Sequence, residues 1–444
     1  KKSQKMCFSC LETAQKMCNT KFILIQAVNE MKRNAMQDLL RWKADEERKP
    51  LVLKGARQVG KTWLMKEFGR VAYAGYVYFN FDEEDALKSI FEHNKNPQRI
   101  IELLSLVAGE KIEPETTLII FDEVQECPEA LNALKYFKEK ASEYHVIAAG
   151  SLLGTLLAQP KSYPVGMVNL LEIQPLTFDE FLEATDESLF RYYERIEKGQ
   201  VIEEIFHKRL LDAYHNYLII GGMPECVASW VTHHNLALID QIHQKLVEVY
   251  EENFLKHSGK INSDRILMVF RSIAAQLAKP NEKFMYRAVR SGGRARDFEE
   301  AIEWLVSARI VNRVYNTSKL EHPLPAFDKL EHFKLFLFDT GLLKHMAGID
   351  NGAILLRNNF QFKGPLTENY VLQQLRGQFP VAPRYYASQG NEIDFVLQNG
   401  TEIIPVEAKG GEDKSAPSFK RYIAAKHPAH ALRFSERGYR KDGE

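Results

Sequence analysis

The chain has 444 residues, 45% hydrophobic and 27% charged, an ordinary globular composition at a length that calls for more than one domain. Lysine plus arginine and aspartate plus glutamate both number 59, so no global basic field points to nucleic acid and any such surface must be local. The apolar stretch Phe22 to Val28 is broken by Gln26 and too short for a membrane span or a signal-peptide core, and five cysteines in this length suit a reducing compartment; the expected location is cytoplasmic, with no membrane partner.

Residues 1–30 read unlike the rest. Cys7, Cys10 and Cys18 fall here, and CFSC has the spacing of half a zinc site, with no second CxxC or HxxxH nearby to complete it. Met31 opens MKRNAMQDLLRWK, a plausible native start with an amphipathic helix behind it. Residues 1–30 are therefore read as an extension outside the fold.

Leu51, Val52 and Leu53 form the short apolar run of a buried parallel strand, and Trp63 to Phe68 carries the first turns of a helix. Between them, Gly55, Ala56, Arg57, Gln58, Val59, Gly60, Lys61 and Thr62 match GxxxxGK[ST] in full. A loop placed at a helix N-terminus presents unpaired N–H groups to an anion, and the helix dipole favours the same charge. The glycines allow the backbone to come close. Lys61 can reach the β- and γ-phosphates of ATP, and Thr62 offers a hydroxyl to Mg²⁺.

Tyr76 to Phe81 alternates like a strand, and Asp82 to Asp85 opens a helical stretch that runs through Leu106. Thr117 to Phe121 is a second buried strand, closed by Asp122 and Glu123. After a phosphate loop, an apolar strand ending in two carboxylates reads as a Mg²⁺ holder (Asp122) and a general base that polarises the attacking water (Glu123). The plainer reading is a loop start that caps the helix beginning near Pro128. His145 to Ala149 is a third core strand, followed by Gly150 and Ser151; Ser151 is either a phosphate sensor or a helix cap. Val168 to Ile173 adds a strand, and Pro175 to Phe181 starts a helix.

The middle of the chain is helical. Phe206 to Ile220 stops sharply at Gly221, Gly222, Met223 and Pro224, and a long helix covers Leu236 to Phe254. A helix at Ile266–Leu277, a short one at Tyr286–Val289, a third at Arg294–Ser307 and then Ile310 to Tyr315 follow the winged-helix order. Arg290, Arg294 and Arg296 stand where a DNA reader would meet phosphate, but Asp297, Glu299, Glu300 and Glu303 favour a protein-contact role for that helix.

Phe333 to Phe338 is a strand. Further on, Glu392 to Leu397 and Ile403 to Lys409 read as adjacent strands across the turn at Asn399 and Gly400. Asp394, with Glu407 and Lys409 two residues apart on one face of the next strand, is the PD-(D/E)xK nuclease arrangement. Two carboxylates can hold Mg²⁺ and activate water, Lys409 would steady the developing charge, and Glu368 on the preceding helix is a further ligand candidate. A salt-bridged sheet edge without metal is the plainer reading. No strand is expected after these, so this unit reads as cut short near Glu444.

In order, the blocks GARQVGKT, LIIFDEVQE, AAGSLLG, PVGMV, PLTFDEFL, GGMPE, FDTGLL, GPLTENYVLQQL, EIDFVL and PVEAKG resemble the prokaryotic AAA-like P-loop ATPases that carry a C-terminal domain of unknown function. The resemblance starts at about Met31. It implies a P-loop NTPase α/β parallel sheet, a helical and winged-helix middle, and a small restriction-endonuclease-like α/β unit. The expected division is residues 31–200, 201–330 and 331–444. It also implies ATP held by Gly55, Gly60, Lys61 and Thr62, and Mg²⁺ and water handled by Asp122 and Glu123. The expected function is a Mg²⁺-dependent ATPase acting as a conformational switch. An ATP-gated DNA nuclease and a DNA-binding regulator that does not cleave are the alternatives. Arg57 lies inside the loop, so an arginine finger would come from a neighbouring subunit, making a homo-oligomer one expectation; DNA and a protein docked on the C-terminal units are the other candidate partners.

Overall fold

The computed structural model describes residues 31–92, 94–150, 153, 166–197, 200–257, 261–279, 283–357, 360–380, 382–388, 390–411 and 416–438. The first unit opens with helix α1 (Ala35–Ala44) and is built on a five-stranded, wholly parallel sheet. Its strands are β1 (Leu51–Lys54), β2 (Gly75–Asn80), β3 (Thr117–Asp122), β4 (His145–Ala149) and β5 (Asn169–Glu172), in the order β2-β3-β4-β1-β5.

The apolar runs of β1, β3 and β4 are continuous because both faces are covered. Leu51, Leu53, Leu118, Ile120, Ile147 and Ala149 enter one core, with Leu39 and Trp42 of α1 and Leu64, Met65 and Phe68 of α2 (Lys61–Ala72). Val52, Ile119, Phe121, Val146 and Ala148 enter the other, under α3 (Asp85–Glu92), α4 (Pro97–Ala108) and α5 (Pro128–Lys140). The alternation of the strand thus divides each run between two cores. The helical stretch expected from Asp82 through Leu106 is two helices. Asn96 caps the second through Gln98 N–H at 3.0 Å, with Pro97 in the first turn, where the missing N–H costs nothing.

The helical middle comprises α6 (Phe178–Thr185), α7 (Glu187–Tyr193), α8 (Glu204–Ile220), α9 (Pro224–His233), α10 (Leu236–His257), α11 (Ser263–Leu277), α12 (Tyr286–Val289) and α13 (Ala295–Ser307). The last three keep the expected order of helix, short helix and helix, and they lead into β6 (Val311–Thr317). β6 pairs antiparallel with β7 (Asp328–Leu337), with Val311 opposite Leu337.

The remaining elements are α14 (Thr340–Met346), α15 (Asn351–Leu355), α16 (Lys363–Gln378), β8 (Arg384–Ser388), β9 (Asn391–Asn399), β10 (Glu402–Ala408), α17 (Pro417–Lys426) and β11 (Leu432–Phe434). They complete a mixed six-stranded sheet in the order β11-β10-β9-β8-β6-β7. β6 joins β8 in parallel through Asn316–Tyr385 and Thr317–Tyr386. One sheet therefore runs across residue 330, which lies within β7. The expectation that no strand follows residue 409 is corrected: β11 pairs in parallel with β10, Glu407 opposite Arg433. Three residues are too few for an alternation to register in the sequence. Among the described residues, no helix is long and apolar enough to cross a membrane.

Candidate functional site

The loop between β1 and α2 is shaped by close backbone approach. A Cβ at Gly55 would lie 2.3 Å from the Ile173 carbonyl oxygen, because Ile173 N–H bonds Lys54 O at 2.8 Å and draws the chain after β5 onto the loop. Gly60, at φ 92°, turns the chain into α2 in a conformation that a side chain would strain. The Lys61 ammonium lies against the loop's own carbonyls, 3.0 Å from Gly55 O and 2.7 Å from Ala56 O. Burial pushes it down to about 8, against the pull of the Glu123 and Asp122 carboxylates.

One strand, β4, separates β1 from β3, yet the loop and the acidic pair meet. Thr62 Oγ1 donates to Asp122 Oδ2 at 2.6 Å, and Tyr78 Oη donates to the same oxygen at 3.0 Å. Burial and the Asp122 carboxylate push the Tyr78 phenol well above its usual value, so it stays a donor. A hydroxyl and a carboxylate in contact form the hard oxygen pair that Mg²⁺ prefers. Glu123 follows at φ 47°, a left-handed conformation that costs a non-glycine residue about 1–3 kcal/mol. Its N–H bonds Asp122 Oδ1 at 3.0 Å, and its Oε2 accepts from Gln125 Nε2. Gln125 lies between Glu123 and the end of β4, since a Cβ on Gly150 would sit 2.1 Å from Gln125 Oε1. Ser151 lies outside the described residues.

A cleft of about 460 Å³, within the range of small-molecule sites, opens beside this pair. Arg57, Gln58, Glu123 and Gln125 line one side, and Glu252, Asn253 and Lys256 of α10 line the other. The Arg57 side chain is turned toward α10, where Nη1 donates to Asn253 Oδ1 at 2.6 Å, and the Arg57 carbonyl accepts from Tyr250 Oη. The Arg57 side chain is thus engaged by α10 rather than turned into the loop. Tyr78, Gln125, Asn253 and Glu252 were missed in the sequence, because their proximity to the loop depends on sheet order and on the docking of α10.

In the second sheet, Asp394, Glu407 and Lys409 come together. Lys409 Nζ is 2.6 Å from Glu407 Oε1 and 3.4 Å from Asp394 Oδ2, and Asp394 Oδ2 also accepts Ala408 N–H at 2.7 Å. Burial, and then the Asp394 charge, raise the Glu407 carboxyl to about 7, and its Oε2 is buried with no hydrogen-bond partner. Glu368 pairs with Lys334 Nζ at 3.3 Å, which reaches Glu392 Oε1 at the same distance. Lys334 also went unnoticed, although a lysine inside the run Phe333–Phe338 was a legible oddity. Arg290, Arg294 and Arg296 are exposed. Of the acids beside them, Glu299 and Glu303 are held by Arg313 of β6 at 2.9 and 2.8 Å.

Five of the sequence blocks meet in one buried polar seam. Arg33 Nη1 holds the loop at Val59 O (2.9 Å), while its Nε pairs with Glu180 (3.1 Å), which in turn accepts Thr177 N–H. Phe178 N–H bonds Gln374 Oε1 at 2.7 Å; Gln374 and Gln373 both donate to Tyr217 Oη, which donates to Leu176 O. Gln373 also donates to Asp339 Oδ2, which accepts Gly222 N–H at 2.7 Å. Two residues on, Pro224 packs back beside the loop, 3.6 Å from where a Gly60 Cβ would stand.

Residues 47–182 match the family model of the AAA domain. The parallel sheet and flanking helices of this first unit match the P-loop NTPase α/β fold, and its sequence resembles the AAA domain over that stretch. Residues 211–353 and 363–443 match two families described as domains of unknown function, DUF8612 and DUF4143. No functionally curated protein matches the chain. Similar solved structures include a Walker-type ATPase of Pyrococcus abyssi, at 15% identity over 71% of this chain and 95% of that one, with a TM-score of 0.46. The Orc1 protein of Aeropyrum pernix, in complex with DNA, is 13% identical over 72% and 94% of the two chains, with a TM-score of 0.29. DnaA from Aquifex aeolicus, bound to AMPPCP, is 15% identical over 61% and 76%, with a TM-score of 0.25.

Proposed function

We propose that the chain is a Mg²⁺-dependent ATPase whose nucleotide state switches the packing of its helical middle. The observation that carries this reading is the 2.6 Å contact between Thr62 Oγ1 and Asp122 Oδ2, which brings the loop to the acidic pair. The N–H groups from Gly55 to Thr62 would cradle the β- and γ-phosphates, with Lys61 leaving the loop carbonyls for phosphate oxygens. Thr62 and Asp122 would hold Mg²⁺, which neutralises phosphate charge when bound. Glu123 would orient and deprotonate the attacking water, and Gln125 would hold that carboxylate in place. Because Arg57 touches Asn253 and Tyr250, a change in the loop would reach α10 directly. Nothing else is needed for a switch than two packings of that contact. The test is calorimetry of the full chain with ATP and Mg²⁺. Lys61→Ala should weaken binding roughly ten- to hundredfold, the loss expected for charge-assisted hydrogen bonds. Equal heats for both proteins would refute the phosphate role of Lys61.

A second reading is favoured by the buried, unpartnered Glu407 Oε2 beside Asp394 and Lys409. Together with Glu368, these residues suit a nuclease centre, in which two carboxylates would hold a divalent ion and Lys409 would steady charge on a phosphodiester. Incubation of DNA with Mg²⁺ and ATP should then give cutting that Lys409→Ala removes. Cutting by the variant would exclude Lys409 from the chemistry. No cutting by either protein, with salt-sensitive DNA binding, would leave the non-cleaving DNA-binding reading.

A further inference from the structure

Away from both centres, α10 and α14 bring a third group of residues together. Asp240 and His243 are three residues apart on α10 and so share a face, and α14 supplies His345. Each offers a ligand atom, and these atoms lie within 4.8 Å of one another.

The state of His243 is the informative feature. It is wholly buried, and its Nε2 lies 3.0 Å from Ile220 O, so that nitrogen must carry the proton and donate it. Nδ1 is left as a lone pair, buried and without a hydrogen-bond partner. A buried lone pair without a partner is costly. An imidazole anchored on a carbonyl through one nitrogen, with the other unclaimed, is how metal-ligating histidines are commonly held. His345 Nε2 meets Gln244 Oε1 at 3.1 Å, so its other nitrogen is not committed to that contact. His345 and Asp240 are half-buried, so an ion could enter from their side.

We propose that Asp240, His243 and His345 bind one borderline divalent transition cation, Zn²⁺ first among them, which clamps α10 to α14. Two imidazoles and one carboxylate suit Zn²⁺ with water in the fourth position, and they disfavour Mg²⁺ and Ca²⁺, which take oxygen ligands. The Lys344 ammonium is the competitor. It is 3.1 Å from Asp240 Oδ1, while Asn351 Nδ2 donates to Asp240 Oδ2 at 2.8 Å. Lys344 already bonds Asn351 Oδ1 as well, so it can give up Asp240 without losing every partner. The clamp would fix α10, whose Tyr250 and Asn253 hold Arg57, but the site does not depend on ATP binding.

The test is a Co²⁺ titration, with Zn²⁺ displacement, of the full chain carrying Cys7→Ser, Cys10→Ser and Cys18→Ser, so that no thiolate of the first thirty residues contributes. One equivalent of Co²⁺ should bind with visible d–d absorption and be displaced by Zn²⁺. His345→Ala should weaken it by more than about a hundredfold, beyond the cost of losing an outer-shell partner. Lys344→Met should bind more tightly than the parent, a gain that misfolding cannot produce. No binding, an unchanged site in His345→Ala, or unchanged or weaker binding in Lys344→Met would each overturn the proposal.

Discussion

Glu123→Gln should bind ATP as the parent does and hydrolyse it about 10²–10⁴ times more slowly, the range over which a positioned general base acts. The substitution keeps the shape of the side chain, and its carbonyl oxygen can still accept from Gln125 Nε2. The backbone at φ 47° is held by the Asp122 contact through Glu123 N–H, which an amide leaves intact. Only the basicity is lost, so binding and turnover should separate. The measurement pairs calorimetric ATP affinity with single-turnover hydrolysis in Mg²⁺. A variant that turns over at the parental rate would remove Glu123 as the base, and one that no longer binds ATP would assign it to the binding surface instead.

The centre of the first sheet was legible because its determinants are local. A glycine loop after Leu51–Leu53 and an acidic pair after Leu118–Phe121 both lie within a few residues of the strands that position them. The grouping of Asp394, Glu407 and Lys409 was legible for the same reason: Glu407 and Lys409 share a face by alternation, and Asp394 lies across one hairpin turn. Arg33, Tyr78 and Asn253 were not legible as parts of the site. Each reaches the centre through packing between elements far apart in sequence, which no local pattern encodes. The sheet that crosses residue 330 was hidden likewise, because the pairing of Thr317 with Tyr386 closes a loop of nearly seventy residues. The break near Asn96 and Pro97 was written in the sequence as a cap followed by an N-terminal proline, but the apolar spacing on both sides outweighed it.

Asp339→Ala should lower the stability of the chain by about 3–9 kcal/mol, read as a fall in the urea midpoint, because three buried donors lose one acceptor group at about 1–3 kcal/mol each. Those donors are Leu342 N–H at 2.9 Å, Gly222 N–H at 2.7 Å and Gln373 Nε2 at 3.2 Å. Asp339 carries the cap of α14, the turn after α8 and the glutamine of α16 at once. Burial raises its pKa, and the same three donors act against that rise, since each favours the carboxylate form. A second effect separates this role from simple packing. Gly222 leads to Pro224, which lies beside Gly60, so loss of Asp339 should also loosen the loop and weaken ATP binding under conditions where the chain is still folded. Tyr217→Phe removes a hydroxyl from the same seam while leaving Gly222 on its acceptor. It should cost stability with ATP affinity unchanged. Equal losses of affinity in the two variants would mean that the seam acts on the loop only through general loosening, and that the contact of Gly222 with Asp339 is not the connection.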